Sequence, residues 1–175
     1  VMVVAVQKAV LKEVAAEDKN LKIIVNTRNF GHVRSPFHGL RQTSGDAVIL
    51  LAADFQDPPD LIPKFLEEWE KGYKVVAAVK TNSRENPLMF ALRNFYYGLV
   101  KKIADVEQTK NFFGFGLFDR AVIDELRKID DPYPYFRGLI NEMGYMKSIV
   151  EYVQPRRMKG KTKNKRFVAW KVDDW

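Results

Sequence analysis

The run Asp54-Phe55-Gln56-Asp57-Pro58-Pro59-Asp60 gathers several hard oxygen donors into one polar turn. Asp54, Gln56 and Asp57 are the ligand types that Mg2+ or Mn2+ takes beside a diphosphate. A metal held there would neutralise charge building on a departing nucleotide diphosphate. The turn follows Ala47-Val48-Ile49-Leu50-Leu51-Ala52, a continuous apolar run that reads as a strand buried on both faces. Ligands in open α/β sheets sit at the carboxyl ends of strands, so the turn is well placed. The plainer alternative is an ordinary acidic turn with Asp60 as N-cap of the next helix. Asp-rich turns are common, and the residues alone favour that alternative.

A second charged segment lies at the end of the sequence. From Pro155 to Trp175 there are eight Lys or Arg (Arg156, Arg157, Lys159, Lys161, Lys163, Lys165, Arg166 and Lys171) against Asp173 and Asp174, which is +6 of the formal +7. A phosphate-bearing ligand, an anionic lipid surface or a nucleic acid would suit such an end. A solvated, mobile charged loop is the alternative. His32 and His38 are the only histidines, and both read as structural. Phe112, Phe113, Phe115 and Phe118 read as core.

Alternating elements must position these groups. Helical spacing of Val10, Leu11 and Val14 predicts a helix over 8–17, and Leu21–Val25 is a short β-branched strand. A helix over 33–43 tolerates Pro36 only near its start. After the strand at 47–52, a helix over 61–71 stops at Gly72. Strand 73–79 follows. Pro87 then opens a long helix to about Ala104. Strand 111–118, helices 119–128 and 135–143, and strand 146–153 complete the chain. Strands alternating with helices argue for a layered α/β fold with a largely parallel sheet.

The totals exclude several classes. At 175 residues the chain is long enough for one domain with a real core. It has no cysteine, so there is no disulfide scaffold and no thiolate metal site. Two histidines rule out a multi-histidine zinc centre. No apolar run approaches the roughly 18 residues of a membrane span. The opening Val1–Val6 lacks the basic start and cleavage site of a signal peptide.

Five segments in order carry a family resemblance. Gly45-Asp46 with Ala53-Asp54-Phe55-Gln56-Asp57-Pro58-Pro59-Asp60-Leu61-Ile62-Pro63 resembles the signature of family-2 glycosyltransferases, the subgroup of dolichyl-phosphate mannose synthases and bactoprenyl glucosyltransferases. Thr27-Arg28-Asn29-Phe30-Gly31-His32, Gly114–Arg120, Phe136-Arg137-Gly138 and Arg157–Lys163 are similar to four further family blocks. The resemblance covers roughly residues 8–164 and leaves 165–175 as a divergent tail.

What the resemblance implies is a GT-A fold, a Rossmann-like three-layer sandwich that holds a nucleotide sugar. Asp54 and Gln56 would hold Mg2+ or Mn2+. Asp46 would be structural or near the nucleotide. Arg84 would face donor or acceptor phosphate, and Arg157, Lys161 and Lys163 would close over phosphates. The implied reaction is inverting transfer to a polyprenyl phosphate, serving the cell envelope and polysaccharide biosynthesis. Its implied setting is the cytoplasm at the inner membrane face, with the basic loop on the membrane and a homo-oligomer among the expected partners. A phosphate nucleophile is ionised at neutral pH, so no strong base is needed. Transfer to a saccharide or protein would need one; Asp119 lies in the Asp119-Arg120 element, but no residue stands out as that base.

The sequence also departs from the family. The first strand and the acidic "DDGS" segment have no counterpart, Ala52 stands where relatives carry the first metal-motif Asp, and Gly116 replaces an arginine. These departures lead to the expectation of an incomplete N-terminal strand, a truncated or frame-shifted reading, and weak or absent nucleotide-sugar binding. A basic-tail module for nucleic acid or an anionic surface is the second reading. A non-catalytic relic of the fold or scaffold is the third.

Overall fold

The computed structural model describes residues 2–5, 9–52, 56–81, 109 and 112–155. Among them, β1 (Met2–Ala5) pairs in parallel with β2 (Lys22–Val25), and α1 (Ala9–Glu17) lies between them in sequence. The sequence reading assigned no strand to the opening residues. The run Met2-Val3-Val4-Ala5 nevertheless pairs residue for residue with Lys22–Val25, as β-branched residues favour.

The second sheet has four strands in the order β3 (Ala47–Leu50), β5 (Phe112–Asp119), β4 (Val75–Lys80) and β6 (Lys147–Tyr152). Strand β5 is antiparallel to both β3 and β4, and β4 is parallel to β6. Three strands therefore share one direction and only β5 is reversed, so the sheet is mixed with a mostly parallel sense. The carboxyl ends of β3, β4 and β6 lie along one edge, together with the amino end of β5.

Helices cover both faces. On one face α2 (Gly31–Arg41), α4 (Arg120–Lys128) and α5 (Phe136–Glu142) bring Phe37, Leu40, Val122, Ile123, Leu126 and Ile140 against Val75, Ala77 and Phe118. On the other, α3 (Ile62–Glu70) lays Phe65 and Trp69, one helical turn apart, over Val76, Ala78, Phe115 and Leu117. This is the three-layer α/β arrangement the alternation predicts. Each fully buried Phe, Leu or Ile contributes about 1.5–3 kcal/mol through removal from water.

Local details differ from the sequence reading. Strand β3 is half-buried along its whole length and, among the described residues, lies at the end of the sheet order. An apolar run records affinity for a core but not the number of neighbouring strands. Helix α2 starts at Gly31 and continues through Pro36, its sixth residue. Asp60 is not an N-cap: Pro59–Leu61 forms a 3-10 turn, and neither that turn nor α3 has a side-chain cap. The helix expected from Pro87 and the basic segment from Arg156 lie outside the described residues.

Strand β5 carries the irregularity that shapes the carboxyl edge. Gly116 faces Ala77, but Phe112 already faces Val79. Four steps on β5 thus match two on β4, a bulge that re-aims side chains. Gly114 sits in it at φ 102°, where only glycine is at ease.

Candidate active site

The acidic turn after β3 is bound at both ends by one carboxylate. Asp57 Oδ2 accepts from the Ala52 amide at 3.3 Å, and Asp57 Oδ1 accepts from the Tyr152 hydroxyl at 3.2 Å. Tyr152 is the last residue of β6 and is buried. Its ring meets Phe115 edge-on at 5.6 Å, and Phe115 meets Phe65 at 5.1 Å. Burial first, then the neighbouring Asp57 charge and hydrogen bond, push the Tyr152 phenol far above its usual range. It therefore remains a proton donor to Asp57 throughout the working pH range. The carboxylate of Asp57 closes the turn onto β6.

Cations and rings gather around Phe113. Lys80 is the register partner of Tyr152, donates to Gln154 Oε1 at 2.9 Å, and stands 4.2 Å from the centroid of the Phe113 ring. Phe113 is 60% exposed, whereas Phe112, Phe115 and Phe118 are buried as expected. The bulge explains why Phe113 leaves the core. Arg137 donates to the Phe112 carbonyl at 3.4 Å, and its guanidinium lies 5.7 Å from the Phe113 ring and 5.5 Å from the Tyr135 ring. Thr81 donates twice to the Tyr152 carbonyl, at 3.0 and 3.2 Å, and fixes the end of β4 to β6.

The residues expected at the site fall into three groups. Gln56 is in the turn, half-buried, next to Asp57. Asp54, Arg84, Arg157, Lys161 and Lys163 lie outside the described residues. Asp46 is exposed at the amino end of β3, the opposite edge, where its carbonyl accepts from the Arg120 amide at 2.8 Å. The structure does not bring it to the turn.

Asp119 is also at that opposite edge, paired in register with Ala47. It accepts from Trp69 Nε1 at 2.7 Å, Lys74 Nζ at 3.0 Å and the Ala121 amide at 2.9 Å. Burial raises its pKa, but these donors outweigh burial and hold it below the ordinary aspartate range. A carboxylate so engaged and so placed is no general base for chemistry at the turn. His32 and His38 are exposed on α2, and Asn29 Oδ1 receives the Gly31 amide at 2.8 Å where that helix begins.

The donor chemistry around the turn suits a hard cation, since Gln56 and Asp57 offer only oxygen ligands besides the Gln56 amide. Among the described residues, however, no three His, Asp or Glu side chains form a group able to hold a metal. Asp57 already spends both oxygens on Ala52 and Tyr152. The sequence reading missed Tyr152 and Lys80, because nothing local marks residues that meet only through sheet pairing; Arg137 lies in the Phe136-Arg137-Gly138 block that the sequence did mark. A cleft of about 370 Å³ lined by Glu125, Lys128, Ile129, Met143 and Tyr145 includes none of these residues. No helix among the described residues is long and apolar enough to cross a membrane.

Comparison with known proteins agrees with this architecture. Residues 7–127 match the sequence profile described as glycosyl transferase family 2. The chain is 36% identical over 156 residues to the uncharacterized glycosyltransferase YkcC of Bacillus subtilis (strain 168), covering 88% of this chain and 48% of that protein. It is 30% identical over 166 residues to the bactoprenol glucosyl transferase of Shigella phage SfX, covering 94% of this chain and 53% of that one. It is 29% identical over 153 residues to the putative glycosyltransferase CsbB of Bacillus subtilis (strain 168), covering 87% and 46%. The α/β fold and these matches define the class: the chain belongs to the family 2 glycosyltransferases, whose fold is GT-A and Rossmann-like. It spans about half the length of the curated relatives it matches.

Proposed function

We propose that this chain is part of an inverting glycosyltransferase that moves a sugar from a nucleotide-sugar donor to a polyprenyl phosphate, at the cytoplasmic face of a membrane. The observation that carries the reading is the clamped acidic turn Ala52–Asp57 at the carboxyl edge of the sheet, in a family 2 chain. The acceptor follows relatives named bactoprenol glucosyl transferase.

In this reading an acceptor phosphate oxygen attacks the anomeric carbon. The bond from that carbon to the nucleotide diphosphate breaks, and the diphosphate leaves with the electron pair. Because the nucleophile is already an anion, catalysis is positioning and charge neutralisation. The remoteness of Asp119 from the turn supports this over transfer to a hydroxyl acceptor. Asp54 and Gln56 would hold Mg2+ or Mn2+, which when bound supplies charge neutralisation on the diphosphate. Arg84 would act on donor or acceptor phosphate, and Arg157, Lys161 and Lys163 would close over the donor and reach toward the membrane. Asp46 is assigned the structural half of its expected role.

The test is transfer of labelled glucose from UDP-glucose, with GDP-mannose and UDP-GlcNAc as alternatives, to undecaprenyl phosphate in the presence of Mn2+. In the complete gene product Asp54→Asn abolishes transfer. Undiminished transfer by that variant would remove the metal role, and no transfer from any donor by the unaltered protein would remove the proposal.

A further inference from the structure

We infer that the rim formed by Phe113, Tyr133 and Tyr135, with the cations that lie on their rings, is the face this protein sets against an anionic lipid bilayer. It rests on the membrane setting of the reading above and names the surface that serves it.

The exposed aromatic side chains are not scattered. Among the described residues they are Phe113, Tyr133 and Tyr135. Phe113 comes from the amino end of β5, the two tyrosines from the loop before α5. Arg137 joins the two segments, with its guanidinium 5.7 Å from the Phe113 ring and 5.5 Å from the Tyr135 ring. Tyr133, two residues from Tyr135, is 75% exposed. Single apolar residues on a surface are ordinary, whereas a gathered patch with a polar border marks a contact surface.

Every one of these rings carries a cation. Arg34 of α2 lies 3.8 Å from the centroid of Tyr133, Lys80 lies 4.2 Å from that of Phe113, and Arg137 serves Phe113 and Tyr135. Neither Arg34 nor Arg137 forms an ion pair with a carboxylate among the described residues. The loop's own acids are Asp130 and Asp131, and Asp131 Oδ1 is turned back onto the Tyr133 amide at 2.7 Å. The guanidinium forks thus keep donors for phosphate oxygens. Rings with a polar tip and arginines beside them suit the headgroup layer, where the ring sits at the interface and the cation meets lipid phosphate.

The rim's position favours a bilayer over other anionic partners. Phe113 stands at the carboxyl edge of the sheet, which also bears the turn Ala52–Asp57. Leu51 after β3 and Val153 after β6 add exposed apolar surface at that edge. The bulge at Gly114 is what turns Phe113 outward there. Docking through this edge presents the turn to an acceptor carried in the membrane.

The test uses the full chain and vesicles of phosphatidylcholine with or without phosphatidylglycerol. Sedimentation should show binding to the phosphatidylglycerol vesicles that is about tenfold weaker in the double variant Phe113→Ser/Tyr133→Ser and about fivefold weaker in Arg34→Gln. The chain has no cysteine, so a fluorophore can be placed singly through Tyr133→Cys, or through Met146→Cys just before β6 at the opposite edge. Brominated lipid should quench the label at 133 and spare the label at 146. Wild-type vesicle affinity in the ring variants would overturn the inference, whether the basic segment after Pro155 or no part of the chain then holds the vesicle. So would a label at 133 that is not quenched, or ring variants that lose only single-stranded RNA. Neither readout involves sugar transfer. Quenching without transfer removes the proposed reaction and leaves the rim, and transfer without quenching removes the rim alone.

Discussion

The Trp69 indole nitrogen donates to Asp119 Oδ2 at 2.7 Å, joining α3 on one face of the sheet to the junction from which α4 leaves to cover the other. Asp119 Oδ1 meanwhile caps α4 through the Ala121 amide. Replacing Asp119 by Ala removes the cap, worth about 1 kcal/mol, and leaves the indole without its acceptor, worth about 1–3 kcal/mol. A loss of roughly 2–4 kcal/mol is expected in urea unfolding, and a loss well under 1 kcal/mol would show that the junction is not a structural anchor.

The same residue sets an acid limb. Burial raises the Asp119 pKa, but Trp69, the Ala121 amide and Lys74 together bring it below the ordinary value. A carboxylate with a depressed folded pKa stabilises fully above its unfolded pKa of about 3.9, and that stability is lost as pH falls through the folded value. Below about pH 4 the wild type should therefore lose stability more steeply than Asp119→Asn. Parallel acid limbs in the two melting profiles would contradict the assignment.

The structure shows what glycine permits at position 116. A Cβ built there would lie 2.3 Å from the Val76 carbonyl oxygen, a backbone atom of β4 that cannot swing aside. Gly116→Ala should cost about 1–3 kcal/mol through forced strand separation, and Gly116→Arg at least as much. A neutral Gly116→Ala melt would mean that β4 and β5 part more easily than their pairing implies.

What the sequence disclosed follows from the range over which each signal acts. The burial of Phe65 and Trp69 on one helical face, and of Val75–Ala78 within a strand, is written in local spacing. The acidic turn was legible for the same reason, as a run of seven neighbouring residues. The Asp57–Tyr152 bond spans 95 positions and leaves no local pattern. Asp60 was misread because Pro58 and Pro59 force an extended step and a 3-10 turn ahead of α3, moving the cap slot to Leu61. The half-burial of β3 depends on its neighbours in the sheet, which an apolar run does not encode.

Arg120 binds the loop before β3 to α4 with a planar fork. Its Nε and Nη2 both reach the Gly45 carbonyl, and Nη1 donates to the Thr43 carbonyl at 3.0 Å. Arg120→Ala should cost about 2 kcal/mol. Lysine should recover less than half, because a single ammonium cannot match two carbonyls held in one plane. Full rescue by lysine in urea denaturation would reduce the contact to simple charge.

Phe113 and Phe115 are two residues apart and make opposite predictions. Phe115 is buried between Phe65 and Tyr152 at ring distances of 5.1 and 5.6 Å. Phe115→Ala should cost about 3–5 kcal/mol. Phe113 is 60% exposed under the Lys80 ammonium, so Phe113→Ala should cost no more than about 1 kcal/mol, the value of an exposed cation–π contact. Thermal melts of the two variants side by side give the comparison. Equal losses would mean that the bulge at Gly114 does not turn Phe113 out of the core.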